Sequence, residues 1–282
     1  MSSRWLIGTD LDGTLLHHDG KSSKYARSVF RQLHKRGHVI VLASGRHWDT
    51  MTQVARDVGV PCYLVASNGA WIGTDDGSVL AEQTLTSSVA RIVGRVLENT
   101  ATAVIVTMDD RRVILDTSHP QQVRRFPWPT SPVSSVANEK IFKLTVTMED
   151  GMMGEIFPLL KDNLGDAVLL ARTDNQTIDI NALGVSKGQA LGLLCDRLDI
   201  PISRTVAFGN EMNDATMLQT VEIGVAVADA NEALAPYADV WTESSNDDGV
   251  AKWLHTFFDV NPKSEEESGD LYEDSRPWTT RT

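Results

Sequence analysis

Trp5-Leu6-Ile7-Gly8-Thr9-Asp10-Leu11-Asp12-Gly13-Thr14-Leu15-Leu16 is an apolar run that ends in two carboxylates one residue apart. Read as a strand, it places residues i and i+2 on one face, so Asp10 and Asp12 are expected to project the same way. Two close carboxylates repel, and burying both as anions is costly. A hard cation such as Mg²⁺, bound through oxygen, removes that conflict. Gly13 lets the chain leave the strand by a turn that most residues resist. An acidic turn after a strand would look similar, because Asp-Gly pairs are common turn formers. An EF-hand calcium loop is excluded, since its fifth and twelfth positions would be Thr14 and Lys21.

Working outward, Ser22 or Ser23 is set to cap a helix carrying Ala26, Val29, Phe30 and Leu33, with Gly37 past its end. His38 to Ala43 is a continuous apolar strand of the kind buried on both faces of a parallel sheet. A second helix carries Met51, Val54, Ala55 and Val58 and stops at Gly59, and Cys62 to Ala66 is another buried strand. Strands alternating with helices imply right-handed crossovers and a parallel sheet. Ligands in such sheets bind beyond the carboxyl ends of the strands. The turns at Asp10 to Thr14, Ser44-Gly45-Arg46 and Ser67-Asn68-Gly69 fall there.

The rhythm then changes. Asp75-Asp76-Gly77 reads as a hairpin turn. A helix from about Ser87 to Asn99 follows, then strands at Ala103 to Met108, Arg112 to Asp116 and Ile141 to Met148. A helix near Gly154 to Leu164 and strands at Ala167 to Arg172 and Thr177 to Asn181 complete this part. Ser118 to Asn138, rich in Pro, Ser and Arg, reads as a long loop. From Val185 the α/β rhythm returns, with Lys187 opening a helix and Thr205 to Phe208 forming a strand that ends at Gly209-Asn210. The expected architecture is α/β: a parallel-sheet, Rossmann-like core (residues 1–80 and 183–260) with an inserted α+β cap (81–182). Residues 261–282 are polar and acidic and are expected to be a disordered tail.

The 282 residues carry a net charge of -12, which argues against nucleic acid or an anionic membrane as partner. Cys62 and Cys195 are expected to be buried, reduced thiols. No charged-then-apolar leader opens the chain and no apolar run would cross a bilayer, so a cytoplasmic protein is expected. Nothing in the sequence fixes an oligomeric state.

Four strand-end loops carry complementary chemistry. Asp10 is a candidate nucleophile, because a carboxylate can attack phosphorus. Asp12 is near enough to protonate a leaving oxygen and then activate water. Ser44 offers a hydroxyl, and Lys187 offers a charge for a phosphoryl oxygen. Asn210, Asn213 and Asp214 offer oxygens for a metal or its waters, and Asn213 also has an amide for phosphate. Taken singly, Ser44 reads as a turn residue, Lys187 as a solvated helix start and Asp214 as an N-cap.

Asp10-Leu11-Asp12-Gly13-Thr14-Leu15-Leu16, Ala43-Ser44-Gly45-Arg46, Ser67-Asn68-Gly69-Ala70, Val185-Ser186-Lys187-Gly188 and Gly209-Asn210-Glu211-Met212-Asn213-Asp214 together resemble the motifs of the haloacid dehalogenase superfamily. Within it they look like the cap-bearing Cof-type phosphatases. The likeness spans residues 4 to 75 and 183 to 255 and is weak inside the cap. The resemblance implies a Mg²⁺-dependent phosphatase of small phosphorylated metabolites with an aspartyl-phosphate intermediate. It implies Asp10 as nucleophile and metal ligand, and Asp12 as general acid/base with its backbone carbonyl on the metal. Leu11 would give a backbone N–H to phosphate. Ser44, Gly45, Lys187 and Asn213 would hold phosphate, while Arg46 and Asn68 would face the substrate and Asp214 would support the metal site. The family most often has Asp where this chain has Asn210, which touches metal affinity first.

Three other readings use some of the same residues. A phosphomutase would return the phosphate to a sugar, and a signalling receiver would keep a long-lived acyl-phosphate. A binding protein without turnover would hold a phospho-ligand only. Cap residues Arg111, Arg112, Arg124, Arg125, Phe126 and Trp128 are candidates for substrate contact, with solvated surface the favoured reading.

Overall fold

The structure, a computed structural model, describes residues 4–261. The expected acidic tail therefore lies outside the described residues. The chain opens with β1 (Leu6–Thr9), α1 (Lys24–Lys35), β2 (Val39–Ala43), α2 (Trp48–Val58) and β3 (Tyr63–Ala66). The three strands pair in parallel. Ser23 caps α1 by accepting a 2.9 Å bond from Ala26 N–H. The apolar stripe of α1 is buried, and fully covering Phe30 or Leu33 contributes about 1.5–3 kcal/mol each.

Every residue of β2 is buried, because helices cover both sheet faces. Ile40 and Leu42 pack in the cluster that holds α1 and α2, whereas Val39, Val41 and Ala43 pack with Leu191 and Leu194. That alternation follows from the two-residue period of a strand.

The hairpin at Asp75-Asp76-Gly77 belongs to the core, not to the changed rhythm that follows it. Its strands β4 (Trp71–Thr74) and β5 (Val79–Glu82) extend the parallel sheet with two antiparallel partners.

The inserted segment holds α3 (Ser87–Val96), β6 (Thr102–Met108), β7 (Arg112–Leu115), α4 (Pro120–Val123), β8 (Thr130–Ser131), β9 (Ile141–Met148), α5 (Met153–Leu164), β10 (Val168–Arg172) and β11 (Thr177–Ala182). Its six-stranded sheet has the order β10-β11-β9-β6-β7-β8. The expected loop from Ser118 to Asn138 is not structureless: it contains α4, β8 and a 3₁₀ turn at Val133–Val136. Its Pro-rich composition hid a strand of only two residues.

The cap sheet is two-faced. Val104, Val106, Phe142, Leu144 and Val146 pack with Val93, Ile156 and Leu160 of α3 and α5. The alternate residues Thr107, Lys143, Thr145 and Asp179 face the core.

The chain returns to the core through α6 (Lys187–Arg197), β12 (Thr205–Gly209), α7 (Ala215–Thr220), β13 (Ile223–Ala226), β14 (Val240–Trp241) and α8 (Gly249–Phe258). The core sheet has eight strands, ordered β14-β13-β12-β1-β2-β3-β4-β5. β1 lies between β2 and β12, so the chain reverses its winding direction there. This is the switch point at which such sheets open a crevice. The segment Glu232–Tyr237 is a 3₁₀ helix with Pro236 inside it. Both cysteines are buried free thiols. Among the described residues, no helix is long and apolar enough to cross a membrane.

Candidate active site

A cavity of about 440 Å³ lies between the carboxyl ends of the core strands and the open face of the cap sheet. Asp10, Asp12, Ser44, Gly45, Arg46, Asn210 and Asn213 line it. Strand β1 ends at Thr9, so Asp10 and Asp12 sit in the turn beyond the strand, and strand geometry does not set their directions. Their environments differ. Asp10 is buried, while the Asp12 side chain is 57% exposed. Gly13 has φ +74°, and a Cβ there would meet Asn210 Nδ2 at 2.6 Å. A side chain at position 13 would therefore strain the turn and push Asn210 aside.

Lys187 is the first residue of α6, whose N-cap Ser186 accepts from Gln189 N–H. Its ammonium is buried, contrary to a solvated helix start. Nζ donates to Asp10 Oδ1 at 2.7 Å and to Asp214 Oδ1 at 2.6 Å. Asp214 Oδ2 accepts from the backbone N–H groups of Asn210 (2.9 Å) and Glu211 (3.1 Å). Its carboxylate thus pins the loop after β12 and makes no cap bond to α7. Burial pushes the Asp10 carboxyl up to about 7, opposed by Lys187 and assisted by the Asp214 and Asp12 charges. Burial lowers Lys187, but the Asp10 and Asp214 charges and hydrogen bonds override it, so its ammonium is held charged. Two carboxylates around one ammonium leave one excess negative charge, which raises Lys187 and adds to the burial that raises Asp10.

That excess charge suits a cation. Lys187 uses one oxygen of Asp10, and among the described residues no side chain or backbone group hydrogen-bonds to the other. Asn210 Oδ1 accepts from Thr14 Oγ1 at 3.1 Å and keeps a second lone pair. Among the described residues, no three His, Cys, Asp or Glu side chains cluster as a complete metal cage. Mg²⁺ does not need one, because it commonly takes one or two carboxylates and keeps several waters. The all-oxygen donors therefore fit Mg²⁺ better than a softer metal.

Ser44 follows β2 and is buried, and its Oγ accepts from Arg46 N–H at 3.2 Å. Arg46 forms a two-point ion pair with Asp12, from Nε at 2.8 Å and from Nη2 at 2.5 Å. Asn68 lies behind this loop with φ 64°. It donates to Asp179 (2.8 Å) and Asn181 (3.1 Å) of the cap and accepts from Asn213 Nδ2 at 3.3 Å. The structure therefore draws together Asp10, Lys187 and Asp214, and separately Asn68, Asn213 and Gly45. Leu11 is fully buried, and its carbonyl accepts from Leu16 N–H at 2.9 Å.

Sequence reasoning did not single out the residues through which the cap meets the core. Lys143 of β9 donates to Gly45 O and to Asp179 Oδ2, both at 2.9 Å. Thr145 Oγ1 donates to Asp179 Oδ1 at 2.7 Å. His47 Nε2 lies 2.6 Å from Met108 O, joining α2 to the end of β6. The signal was present in the alternation of Ile141-Phe142-Lys143-Leu144-Thr145-Val146-Thr147 and of Thr177-Ile178-Asp179-Ile180-Asn181. Polar residues on alternate positions of a strand mark a face that is not helix-covered. The reading of the cap residues as solvated surface also needs correction. Arg112, Phe126 and Trp128 line the cavity, because β7 and the turn before β8 close its outer wall. Arg111 remains exposed, paired with Asp110 and Glu139.

Known proteins resemble this chain over most of its length. A 5-amino-6-(5-phospho-D-ribitylamino)uracil phosphatase of Bacillus subtilis is 26% identical, with 88% of this chain and 93% of the relative covered. An HMP-PP phosphatase of an Enterobacter species is 25% identical, with 86% and 97% covered. A phosphatase of the same superfamily from Bacteroides thetaiotaomicron superposes with a TM-score of 0.80 at 24% identity, over 92% of this chain and 97% of that one. A sugar phosphatase of subclass IIB gives 0.79 at 19% identity, over 91% and 100%. At such identities the two superpositions carry the fold, cap included. The model of the haloacid dehalogenase-like hydrolases matches residues 7–254, which takes in the cavity and both sheets. With its buried Asp10–Lys187 pair between a switch-point crevice and an inserted cap, this chain belongs to the haloacid dehalogenase-like hydrolase family.

Proposed function

We propose that the protein is a Mg²⁺-dependent phosphatase that hydrolyses small phosphorylated metabolites through an aspartyl-phosphate on Asp10. One observation carries the reading: a buried carboxylate, held at one oxygen by Lys187, lies at the floor of a cavity with its other oxygen unspent. That oxygen attacks phosphorus, and the bond from phosphorus to the leaving oxygen breaks. Asp12 gives the leaving oxygen its proton. A water then attacks the phosphorus, Asp12 takes the water's proton, and the bond from Asp10 to phosphorus breaks to release phosphate.

Asp10, the Asp12 carbonyl and Asn210 would hold Mg²⁺, which supplies positive charge to the phosphoryl oxygens. Lys187 holds Asp10 in place and adds a second positive charge. Ser44, Gly45, Asn213 and the Leu11 N–H hold the transferring group, with Asp214 anchoring the loop that carries Asn210. Asp12 is engaged by Arg46, so this arginine must yield as the leaving group enters. The inserted segment, from α3 to β11 (residues 87–182), covers the site and excludes bulk water. The relatives named for a phosphorylated uracil derivative and for HMP-PP support a metabolite of that size as substrate. No nucleic acid, membrane or protein partner enters this reading, and the working compartment is the cytoplasm.

Release of free phosphate from a panel of phosphomonoesters, with Mg²⁺ and with a chelator, tests the reading. Asp10→Asn is expected to lower the rate at least ~10³-fold while keeping the fold. Near-parental hydrolysis by that variant would place the nucleophile elsewhere.

A further inference from the structure

A second cavity, of about 520 Å³, lies at the opposite end of the core sheet, where the strands begin. His38 just before β2, Tyr63 at the start of β3 and Arg197 at the end of α6 line it, together with Arg4 from the N-terminal segment. Strand β2, five residues long and about 17 Å at strand rise, separates this cavity from Ser44. It shares no lining residue with the active-site cavity.

The walls carry two cations that the chain does not neutralise. Neither Arg4 nor Arg197 forms an ion pair among the described residues, although Asp199 lines the same cavity. Arg197 makes one hydrogen bond, to Leu80 O at 3.2 Å, so most of its donors remain free. The two guanidiniums converge: burial raises the Tyr63 hydroxyl, and the charges of Arg4 and Arg197 both pull it back. Basic side chains at a helix C-terminus often serve only the helix dipole. Here the last carbonyls of α6 are taken by the backbone N–H groups of Leu198, Asp199 and Ile200. Arg197 reaches across to β5 rather than back to its own helix, and Arg4 belongs to no helix.

His38 adds a donor to the same cavity. It is only 7% exposed, and its Nδ1 accepts from Trp5 N–H, which places the ring proton of the neutral imidazole on Nε2. Among the described residues nothing accepts from that N–H, and the atom is not sealed from solvent. A nearly buried donor of this kind takes its acceptor from whatever fills the cavity.

We infer that Arg4, Arg197 and His38 form a second anion site, at the base of the core sheet, that takes a phosphate group, free or carried by a small ester. A phosphoryl group carries three acceptor oxygens, one for each of these donors. Guanidinium forks match its geometry, and charge-assisted bonds to them are the strong ones. The inference stands apart from the phosphatase reading, because none of its residues belongs to the active site.

The full chain, in the presence of a chelator, is titrated with inorganic phosphate while imidazole resonances are followed by NMR. His34, in the last turn of α1, borders the same cavity and serves with His38 as a reporter. His34→Gln and His38→Gln assign the two signals. Both are expected to move together and to saturate, with a Kd of about 1 mM or tighter. Arg4→Gln and Arg197→Gln should each weaken that Kd at least ~10-fold, and Asp199→Asn should tighten it about 3-fold. A parallel titration with glycerol 3-phosphate identifies the source. A tighter Kd for the ester assigns an ester-borne phosphate, and an equal or weaker one assigns free phosphate.

Signals that stay still or fail to saturate overturn the proposal. So do movements that sodium chloride reproduces at equal ionic strength, which would reflect screening alone. Movements that persist unchanged in Arg4→Gln and Arg197→Gln also overturn it, because the phosphate would then be bound elsewhere. Either variant suffices if the other fails to fold.

Discussion

Arg46 grips Asp12 with two parallel hydrogen bonds, at 2.8 and 2.5 Å, across the mouth of the cavity. A bidentate pair fixes direction as well as distance. Asp12 is more than half exposed and would otherwise sample several rotamers. On the proposed mechanism, in which Asp12 is the acid/base, Arg46 positions its carboxylate until the substrate displaces it. Arg46→Lys keeps a positive charge but loses the fork. It is expected to lower kcat about 10-fold with a smaller change in KM. An increase in KM with unchanged kcat would show that Arg46 acts on substrate binding instead.

Lys187 pairs with two buried carboxylates at once. Lys187→Met leaves Asp10 and Asp214 facing each other without a counter-charge. Removing one partner from a buried pair costs about 3–5 kcal/mol. The expected result is a large fall in unfolding free energy, measured by urea titration, together with loss of turnover. Addition of Mg²⁺ should restore part of the stability, because the cation shares the job of neutralising Asp10.

Asp179 accepts from Lys143 and Thr145 within the cap and from Asn68 of the core. Asp179→Leu strands the Lys143 ammonium in a buried position and is expected to cost about 3–5 kcal/mol. The double change Lys143→Met with Asp179→Leu should cost less than the two single losses added together. A double-mutant cycle reads this coupling, and strict additivity would mean that the pair does not interact.

Asn210 sits where a carboxylate would add negative charge beside Asp10 and Asp12. Asn210→Asp retains the oxygen that accepts from Thr14. It is expected to strengthen Mg²⁺ binding about 10-fold, or about 1.4 kcal/mol. Two readouts apply: the Mg²⁺ concentration for half-maximal rate, and the rise in melting temperature with added Mg²⁺. A variant that needs more Mg²⁺ than the parent would show that the added anion crowds its neighbours.

His38 gives a pH dependence that is independent of the active site. Burial, helped by Arg36, lowers its imidazole below the ordinary 6.5. Nδ1 accepts from Trp5 N–H at 3.2 Å, a bond that protonation at Nδ1 would remove. The unfolded chain therefore binds the proton first as pH falls. Stability from this residue is intact above about pH 6.5 and is lost as pH drops toward the lowered folded value. His34 shifts in the same direction through burial. His38→Gln is expected to make the acid-side loss of stability shallower without abolishing it, as followed by urea titrations between pH 7 and pH 5.

The order of strands and helices in the core was legible in the sequence, because local periodicity and turn residues report burial directly. Ser23, Gly59 and the fully apolar β2 are examples. The motif loops were legible too, since chemistry is confined to short segments at strand ends. Tertiary structure decided what those loops touch. Lys187 and Asp10 are separated by 177 residues, and only the placement of α6 against β1 turns an ordinary helix start into a buried counter-ion. Asp214 reads as a cap along the chain, but its carboxylate is spent on Lys187 and on two loop amides. Phe126 and Trp128 read as surface because nothing near them in sequence covers them. Their wall exists only once β7 and β8 pair and the cap sheet turns its polar face toward the core. Secondary structure is set by neighbours along the chain, whereas burial and charge pairing are set by neighbours in space.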